Sequence, residues 1–581
     1  MLYPQNNLYR QFIDLSGFWE FRFDSENKGL DQEWARGFDL SRPIAVPASW
    51  NDQFEDGRDY LGPAWYQVSF HLPWGFNQKK LFLRFNSANY LAQVWLNGEL
   101  IGSHEGGHLP FEFEITDKIH PANNLLVVRV DGSLAFDRVP PGNITGDPYD
   151  FFGSHSENYP QTNFDFFPYC GLQREVLLYA LPESSIKDVT VTTELEGTTG
   201  IVIVAVQIEN CEFANIILSL RKDGQEFTAF ANRIEQPTFV NVKIPNADLW
   251  EPGAPNLYDL TLQLFIKGEL VDVYTLPVGI RTVKIEGTQL LLNGKPIYLK
   301  GFCRHEDFPV IGRGYQPAVL AKDFSLLQWA GANSFRTSHY PYSDQTMQLA
   351  DRLGFLVIDE IPAVGLYFRE DGLPRRLELC QQYIRELIAR DKNHASVIMW
   401  SIANEPLSVR AEAKPFFRTL LDQVKVLDPT RLVTIVSAVG VIEEAFEFLD
   451  VVCLNRYNGW YQQSGRIEEG LKSLSMELDV LYERFQKPII LSEFGADTIP
   501  GVHAQPPEMF SEEYQVEFLT RYIELLRSKP YIIGEHVWVM CDFKTSQGTL
   551  RMGGLNYKGV FTRDRRPKMA AHALRKIWSE K

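Results

Sequence analysis

The sequence predicts a multidomain β plus α/β protein: two β-sandwiches followed by a (β/α)8 TIM barrel. Three observations predict it. Up to about residue 182 the chain carries short aromatic and β-branched runs separated by turn residues. Residues 183–282 repeat that grammar with more valine, isoleucine and threonine. From about residue 283 the pattern changes to apolar strands alternating with amphipathic helices.

The first region holds GFWEFRFD, WYQVSFHL, KLFLRFNS, YLAQVWLNG and NLLVVRVDG, with Pro73, Asn97-Gly98 and Asp131-Gly132 as turns. Alternation at this spacing reads as an antiparallel jelly-roll sandwich over 1–182, ending at the linker Leu181-Pro182-Glu183. The second region, with IKDVTVTTEL, GIVIVAVQIEN and FVNVKIP, has the length and strand density of an immunoglobulin-like sandwich over 183–282. The third, 283–581, contains eight strand candidates: YLKGFCRHE, SFRTSHYP, FLVIDEIP, SVIMWSIANEP, LVTIVSA, VVCLNRY, PIILSEFG and IIGEHVWVMC. Helical patterns such as AKDFSLLQWAGA, RLELCQQYIRELIARDKN and EEYQVEFLTRYIELLRS lie between most of them, and the connection around EEAFEF is the weakest. Eight such units point to a closed barrel. A doubly wound open sheet is disfavoured, because no glycine-rich phosphate fingerprint follows the first strand.

Composition narrows the function. A net charge of −17 argues against nucleic-acid or anionic-membrane partners, which need a basic face. Aromatic residues make up 13% of the 581, which suits both sandwich cores and the C–H faces of sugars. The six cysteines are far apart and form no CxxC pair, so buried free thiols are expected rather than zinc or a disulfide framework. The start, MLYPQNNLYRQFIDLSGFWEF, has no basic-then-apolar leader, and no apolar run reaches membrane-span length. Cytoplasmic action without a metal or other cofactor is therefore the expectation.

Catalytic groups of a barrel sit where strands end at its C-terminal face. Those ends here carry Arg304, His305, Arg336, His339, Asp359, Glu360, Asn404, Glu405, Asn455, Tyr457, Glu493, Trp538 and Asp542. Core packing does not call for so many polar groups, and together they read as a cleft for a hydroxyl-rich ligand. Glu405 and Glu493 end the fourth and seventh strands, roughly opposite in an eight-membered ring. Retaining glycoside hydrolysis needs two carboxyls about 5–5.5 Å apart. A lone glutamate at a strand end is more often a salt-bridge partner; two facing ones favour catalysis. His305 and His339 lack the HxH or HExxH spacing of a metal-dependent hydrolase.

The segments MWSIANEP and SEFGADT resemble the acid/base and nucleophile motifs of glycoside hydrolase family 2. GFCRHEDFPVIGRGY, GANSFRTSHYPY, NRYNGWY, GEHVWVMCDFKTSQG, GVFTRDRRPKMAAHALRKIW and the earlier FDFFPYCGLQREV are similar to its β-glucuronidase branch, so the likeness covers essentially the whole chain. The resemblance implies Glu405 as acid/base and Glu493 as nucleophile. It implies that Asn404 bonds the sugar 2-hydroxyl, that Tyr457 orients an ionised Glu493, and that Asp165 accepts a sugar hydroxyl. His339, Tyr461 and Trp538 would line the pocket. With Glu493 ionised, its charge would keep Glu405 protonated. A homo-oligomer, often a tetramer, is also implied.

Asn556-Tyr557-Lys558 resembles the Asn-x-Lys signature of the glucuronide-cleaving branch. An ammonium and an amide donor suit the C6 carboxylate of a uronic acid, and Arg551 adds a second cation. The expected substrate is thus a β-D-glucuronide, with a galacturonide or, less well, a galactoside as the alternative. An inactive carbohydrate-binding protein would be favoured by loss of either glutamate, and both are present. Two departures from the branch stand out. Leu555 intervenes between Gly553-Gly554 and Asn556, and only YFREDGLPRRLE separates the third strand's loop from the next helix. The short segment predicts an open mouth and leaving groups as large as oligosaccharides.

Overall fold

The structure is a computed structural model, and it describes residues 1–144, 158–211, 213–231 and 237–579. In the first sandwich a six-stranded antiparallel sheet faces a four-stranded one formed by Gln11–Asp14, Val176–Leu181, Lys80–Phe85 and Phe111–Glu114. Trp19, Phe21, Tyr66, Leu83, Val94, Leu126, Val128 and Leu178 fill the space between them. Alternation along Asn124–Asp131 explains the layering: Leu126 and Val128 point inward, while Val127 packs outside with Trp34, Trp65 and Trp95. The expected two-faced pattern is therefore present, with a small second core covering the outer face.

The second sandwich pairs a three-stranded sheet, Ser185–Glu196, Thr199–Glu209 and Thr238–Ile244, with a four-stranded one. Thr238–Ile244 alternates strictly between buried and exposed, as period-two burial on one face requires.

The eight predicted barrel strands all form, and they close in sequence order. They are β1 (Leu299–Cys303), β2 (Ser334–Arg336), β3 (Leu356–Glu360), β4 (Val397–Asn404), β5 (Leu432–Ser437), β6 (Val452–Asn455), β7 (Ile489–Phe494) and β8 (Ile532–Val537). Every residue of β3, β4 and β7 is buried, which is why they read as mainly apolar runs, with Glu360 ending β3, Glu405 just after β4 and Glu493 next to last in β7. A helix not anticipated from the sequence, α1 (Ala413–Leu427), joins β4 to β5; it buries Phe416, Phe417, Leu420, Leu421 and Val424 on one stripe. The weak segment before β6 forms only two 3-10 turns, Gly440–Ile442 and Ala445–Glu447. Among the described residues no helix is long and apolar enough to cross a membrane. The six cysteines are free, and all but Cys211 are buried.

The first sandwich lies over the C-terminal mouth of the barrel. Its segment 164–169 inserts there: Phe166 packs against His305 and Tyr340, with ring centroids 5.4 Å away in each case. An ion network holds the two together. Asp52 receives Lys544 at 2.7 Å and Arg563 at 2.6 Å, Arg563 also meets Asp307 at 2.6 Å, and Arg174 meets Glu306 at 2.9 Å.

Candidate active site

Glu405 follows β4 directly, and its backbone adopts a left-handed φ of +45° while its N–H donates to Val436 O at 2.8 Å. A non-glycine residue there is strained, and such strain persists only where surrounding contacts impose it. Asn455, at the end of β6, donates to Glu405 Oε1 at 2.8 Å and to Asn404 Oδ1 at 3.2 Å. The expected acid and its neighbour Asn404 are thus oriented by one side-chain amide.

Glu493 is buried on β7. Tyr457 donates to its Oε2 at 2.6 Å, and Arg336 donates to its Oε1. Arg336 lies wholly inside the barrel and also bonds Glu360 at 2.8 Å and Asn404 at 3.2 Å. His339 bridges the same acids, with Nδ1 3.0 Å from Glu360 and Nε2 3.8 Å from Glu493. It stacks on Trp538, centroids 5.0 Å apart, and burial holds it below its ordinary pKa. His305 bonds the Tyr340 hydroxyl at 3.1 Å. Both histidines therefore serve hydrogen-bonding and stacking roles.

The protonation expected from charge repulsion alone requires correction. Burial pushes Glu493 up, to about 8; Arg336 pulls it down, Glu405 pushes it up, and the Tyr457 hydrogen bond pulls it down again. The complete burial of Glu493 outweighs its donors. Glu360, under Arg336 and His339, is held below the usual carboxylate range despite its burial.

Beside this pair lies a cationic cluster. Lys558, 1% exposed, donates to the Tyr461 hydroxyl at 2.8 Å and to Asp497. Arg551 grips Asp165 with Nε at 2.8 Å and Nη2 at 2.5 Å, and its Nη2 reaches Tyr461 at 3.0 Å. Asn556 donates to Asp165 at 2.9 Å and accepts from the Lys558 backbone at 3.0 Å. Asp165 and Arg551, assigned from sequence to different parts of a sugar, are bonded to each other here. Leu555 does not pull the cluster apart: Gly553 and Gly554 turn with φ of +64° and +68°, and Leu555–Asn556 pairs with Phe543–Lys544 as a short strand. Tyr457 and Tyr461 meet edge-on at 5.3 Å, so one aromatic pair joins the Glu493 site to the Lys558 cluster.

All eleven residues singled out in sequence thus fall within one connected network at the mouth of the barrel. Arg336, Glu360 and Asn455 had been noted only as polar strand ends, and Asp497 not at all. Arg336 had a signal, being an arginine that closes a fully buried strand. Asp497 had none beyond its place four residues after Glu493.

An eight-stranded barrel with one glutamate held by Asn455 at the end of its fourth strand and another held by Tyr457 and Arg336 near the end of its seventh, roofed by a sandwich, is the architecture of a glycosidase. Family models agree along the chain: "Glycosyl hydrolases family 2, sugar binding domain" matches 12–182, "Glycosyl hydrolases family 2" matches 184–281, and "Glycosyl hydrolases family 2, TIM barrel domain" matches 283–581. The chain is 42% identical to a beta-glucuronidase of Paenibacillus borealis, over 100% of this chain and 99% of that one. It is similar to the solved beta-D-glucuronidase of Dictyoglomus thermophilum, with a TM-score of 0.90, 40% identity, and 100% and 99% coverage. A Ruminococcus gnavus β-glucuronidase in complex with D-glucuronic acid gives 0.92, 38%, and 100% and 99%. The chain belongs to glycosyl hydrolase family 2 and is a glycoside hydrolase.

Proposed function

We propose that the protein is a retaining exo-β-D-glucuronidase acting by double displacement, with Glu493 as nucleophile and Glu405 as acid/base. The observation that carries this reading is the Tyr457–Tyr461 pair, which joins Glu493 to the buried Lys558. In the proposed cycle Glu493 attacks the anomeric carbon while Glu405 protonates the departing oxygen. Arg336 and Tyr457 favour the ionised nucleophile. Once Glu493 is an ester its charge is gone, and Glu405 takes a proton from the attacking water. Asn404 holds the sugar 2-hydroxyl, and His339 and Trp538 line the ring site.

Lys558, with Asn556 and Arg551, receives the C6 carboxylate. The similarity to beta-glucuronidases supports a uronate over a neutral sugar. Asp165, now tied to Arg551, exchanges part of that bond for a sugar hydroxyl on binding. The substrates comprise small-molecule conjugates and uronic-acid-capped oligosaccharides, from which the aglycone or the uncapped oligosaccharide departs. Domain limits at 182/183 and 282/283, a homo-oligomer of the tetrameric kind and cytoplasmic action complete the reading. Light scattering that gave a monomer would remove the oligomer from it.

The decisive experiment compares p-nitrophenyl β-D-glucuronide, β-D-galacturonide and β-D-galactoside on wild type, Lys558→Ala and Glu493→Ala. The glucuronide should be cleaved best, with the β-anomer appearing first by NMR. Lys558→Ala should lower its kcat/KM about 10- to 150-fold, as expected for losing a charge-assisted bond, and Glu493→Ala should abolish turnover. Preference for the galactoside, unchanged in Lys558→Ala, would refute the uronate reading.

A further inference from the structure

Away from the catalytic mouth, where the second sandwich meets the N-terminal end of the barrel, a cavity of about 170 Å³ opens between the strand Ser185–Glu196 and the turns preceding β4 and β5. Its lining includes Arg281, Lys392, His394 and Arg431 and not one carboxylate. In a chain with a net charge of −17 this is a local reversal of sign.

Three of the four basic side chains are answered from behind the wall. Lys392 pairs with Asp188, His394 Nδ1 lies 2.6 Å from Asp351, and Arg431 Nη1 lies 2.8 Å from Asp428. Arg281 is not answered in this way. It is 7% exposed, and its Nε and Nη2 donate to the neutral carbonyls of Ala395 and Val397 at 2.7 and 2.6 Å. Its Nη1 has no hydrogen-bond partner among the described residues. Burial, and then the charge of Arg431, draw its pKa down to about 9, against a smaller upward pull from Asp428 and Asp351. A buried cation without a counter-ion is costly, and a bound anion removes that cost. The cavity far exceeds the roughly 10–15 Å³ that a single water needs, so it is large enough for a small polyatomic anion.

We propose that this cavity binds a small oxyanion of the phosphate or carboxylate class, which pairs with Arg281 and ties the second sandwich to the base of the barrel. The site is separate from the catalytic network, so it stands or falls independently of the substrate reading. Its ligand acts by linkage: binding the folded docked state alone, it raises stability with concentration.

The test is thermal unfolding of the full-length protein in sodium phosphate and in sodium acetate, each against sodium chloride of matched ionic strength. Phosphate should raise the wild-type Tm saturably, by roughly 2 °C or more at large excess. An equal rise with acetate assigns a carboxylate ligand, and a rise with phosphate alone assigns a phosphate. Arg281→Gln should lose the rise while cleavage of p-nitrophenyl β-D-glucuronide stays within about twofold. Bromide-soaked wild-type crystals, which need no variant, should show an anomalous peak within hydrogen-bonding distance of Arg281 Nη1. No saturable rise in wild type, an undiminished rise in Arg281→Gln, or no such peak would overturn the proposal.

Discussion

At the scale of single residues, Glu493 is pulled in opposite directions. Its burial favours the neutral acid, whereas Arg336 and the Tyr457 hydroxyl favour the charge. Tyr457→Phe removes one of the two donors. The acid limb of the kcat/KM profile should then move to higher pH, because more hydroxide is needed to ionise Glu493. The loss at neutral pH should be about 10- to 150-fold, from roughly 1.5–3 kcal/mol for a bond to a charged group. A limb that stayed in place would mean that Tyr457 does not act on Glu493. The same shift has a stability consequence. A carboxyl raised from 4.5 to about 8 on folding makes the fold progressively less stable as pH rises through that window. Glu493→Gln cannot ionise. Its Tm relative to wild type should therefore improve steadily from pH 5 to pH 8.5, as scanning calorimetry would measure, and a flat difference would contradict the raised pKa. Such a gain would place Glu493 among groups kept for chemistry at the expense of stability.

At the scale of elements, the site depends on a loop of the first sandwich reaching a loop of the barrel. Gly365, after β3, lies between them. Its φ is +61°, its N–H donates to Asn404 O at 2.9 Å, and its carbonyl accepts from Asn163 Nδ2 at 2.5 Å. A Cβ there would stand 2.1 Å from Asn163 O, a backbone atom with no rotamer to yield. Gly365→Ala should cost about 1–3 kcal/mol and displace the segment carrying Asp165. Urea unfolding would measure the first effect and KM for the glucuronide the second; wild-type values for both would show that this contact does not position Asp165. The loop is short in sequence, and its Leu366, Tyr367 and Phe368 are buried rather than spread as a cover.

At the scale of the molecule, the first sandwich and the barrel are joined by charge as well as by apolar packing. Asp52, buried to about nine-tenths, answers both Lys544 and Arg563. Lys544 also presents its carbonyl to the Phe167 N–H at 2.9 Å, next to the segment bearing Asp165. Asp52→Ala leaves two cations without this partner. It should cost about 3–5 kcal/mol, lower the Tm by several degrees and raise KM for the glucuronide. Calorimetry and kinetics on one preparation check both, and a changed Tm with unchanged KM would confine Asp52 to stability.

Period-two runs and strand–helix alternation made the two sandwiches and all eight barrel strands legible, because burial on one face or on both writes itself directly into residue order. The terminal acids Glu405 and Glu493 were legible for the same reason, as charges closing apolar strands. The helix Ala413–Leu427 was not read, although its buried stripe is regular. Tertiary structure decided what distance along the chain conceals. It brought Arg336 between Glu360 and Glu493, joined Asp165 to Arg551 across 386 residues, and set Asp497 against Lys558. It also decided protonation and compensation, since the pKa of Glu493 and the carboxylate-free lining of the Arg281 cavity depend on burial and on neighbours in space. Sequence order records which face of an element is apolar; the charges that meet across elements are fixed only when those faces pack.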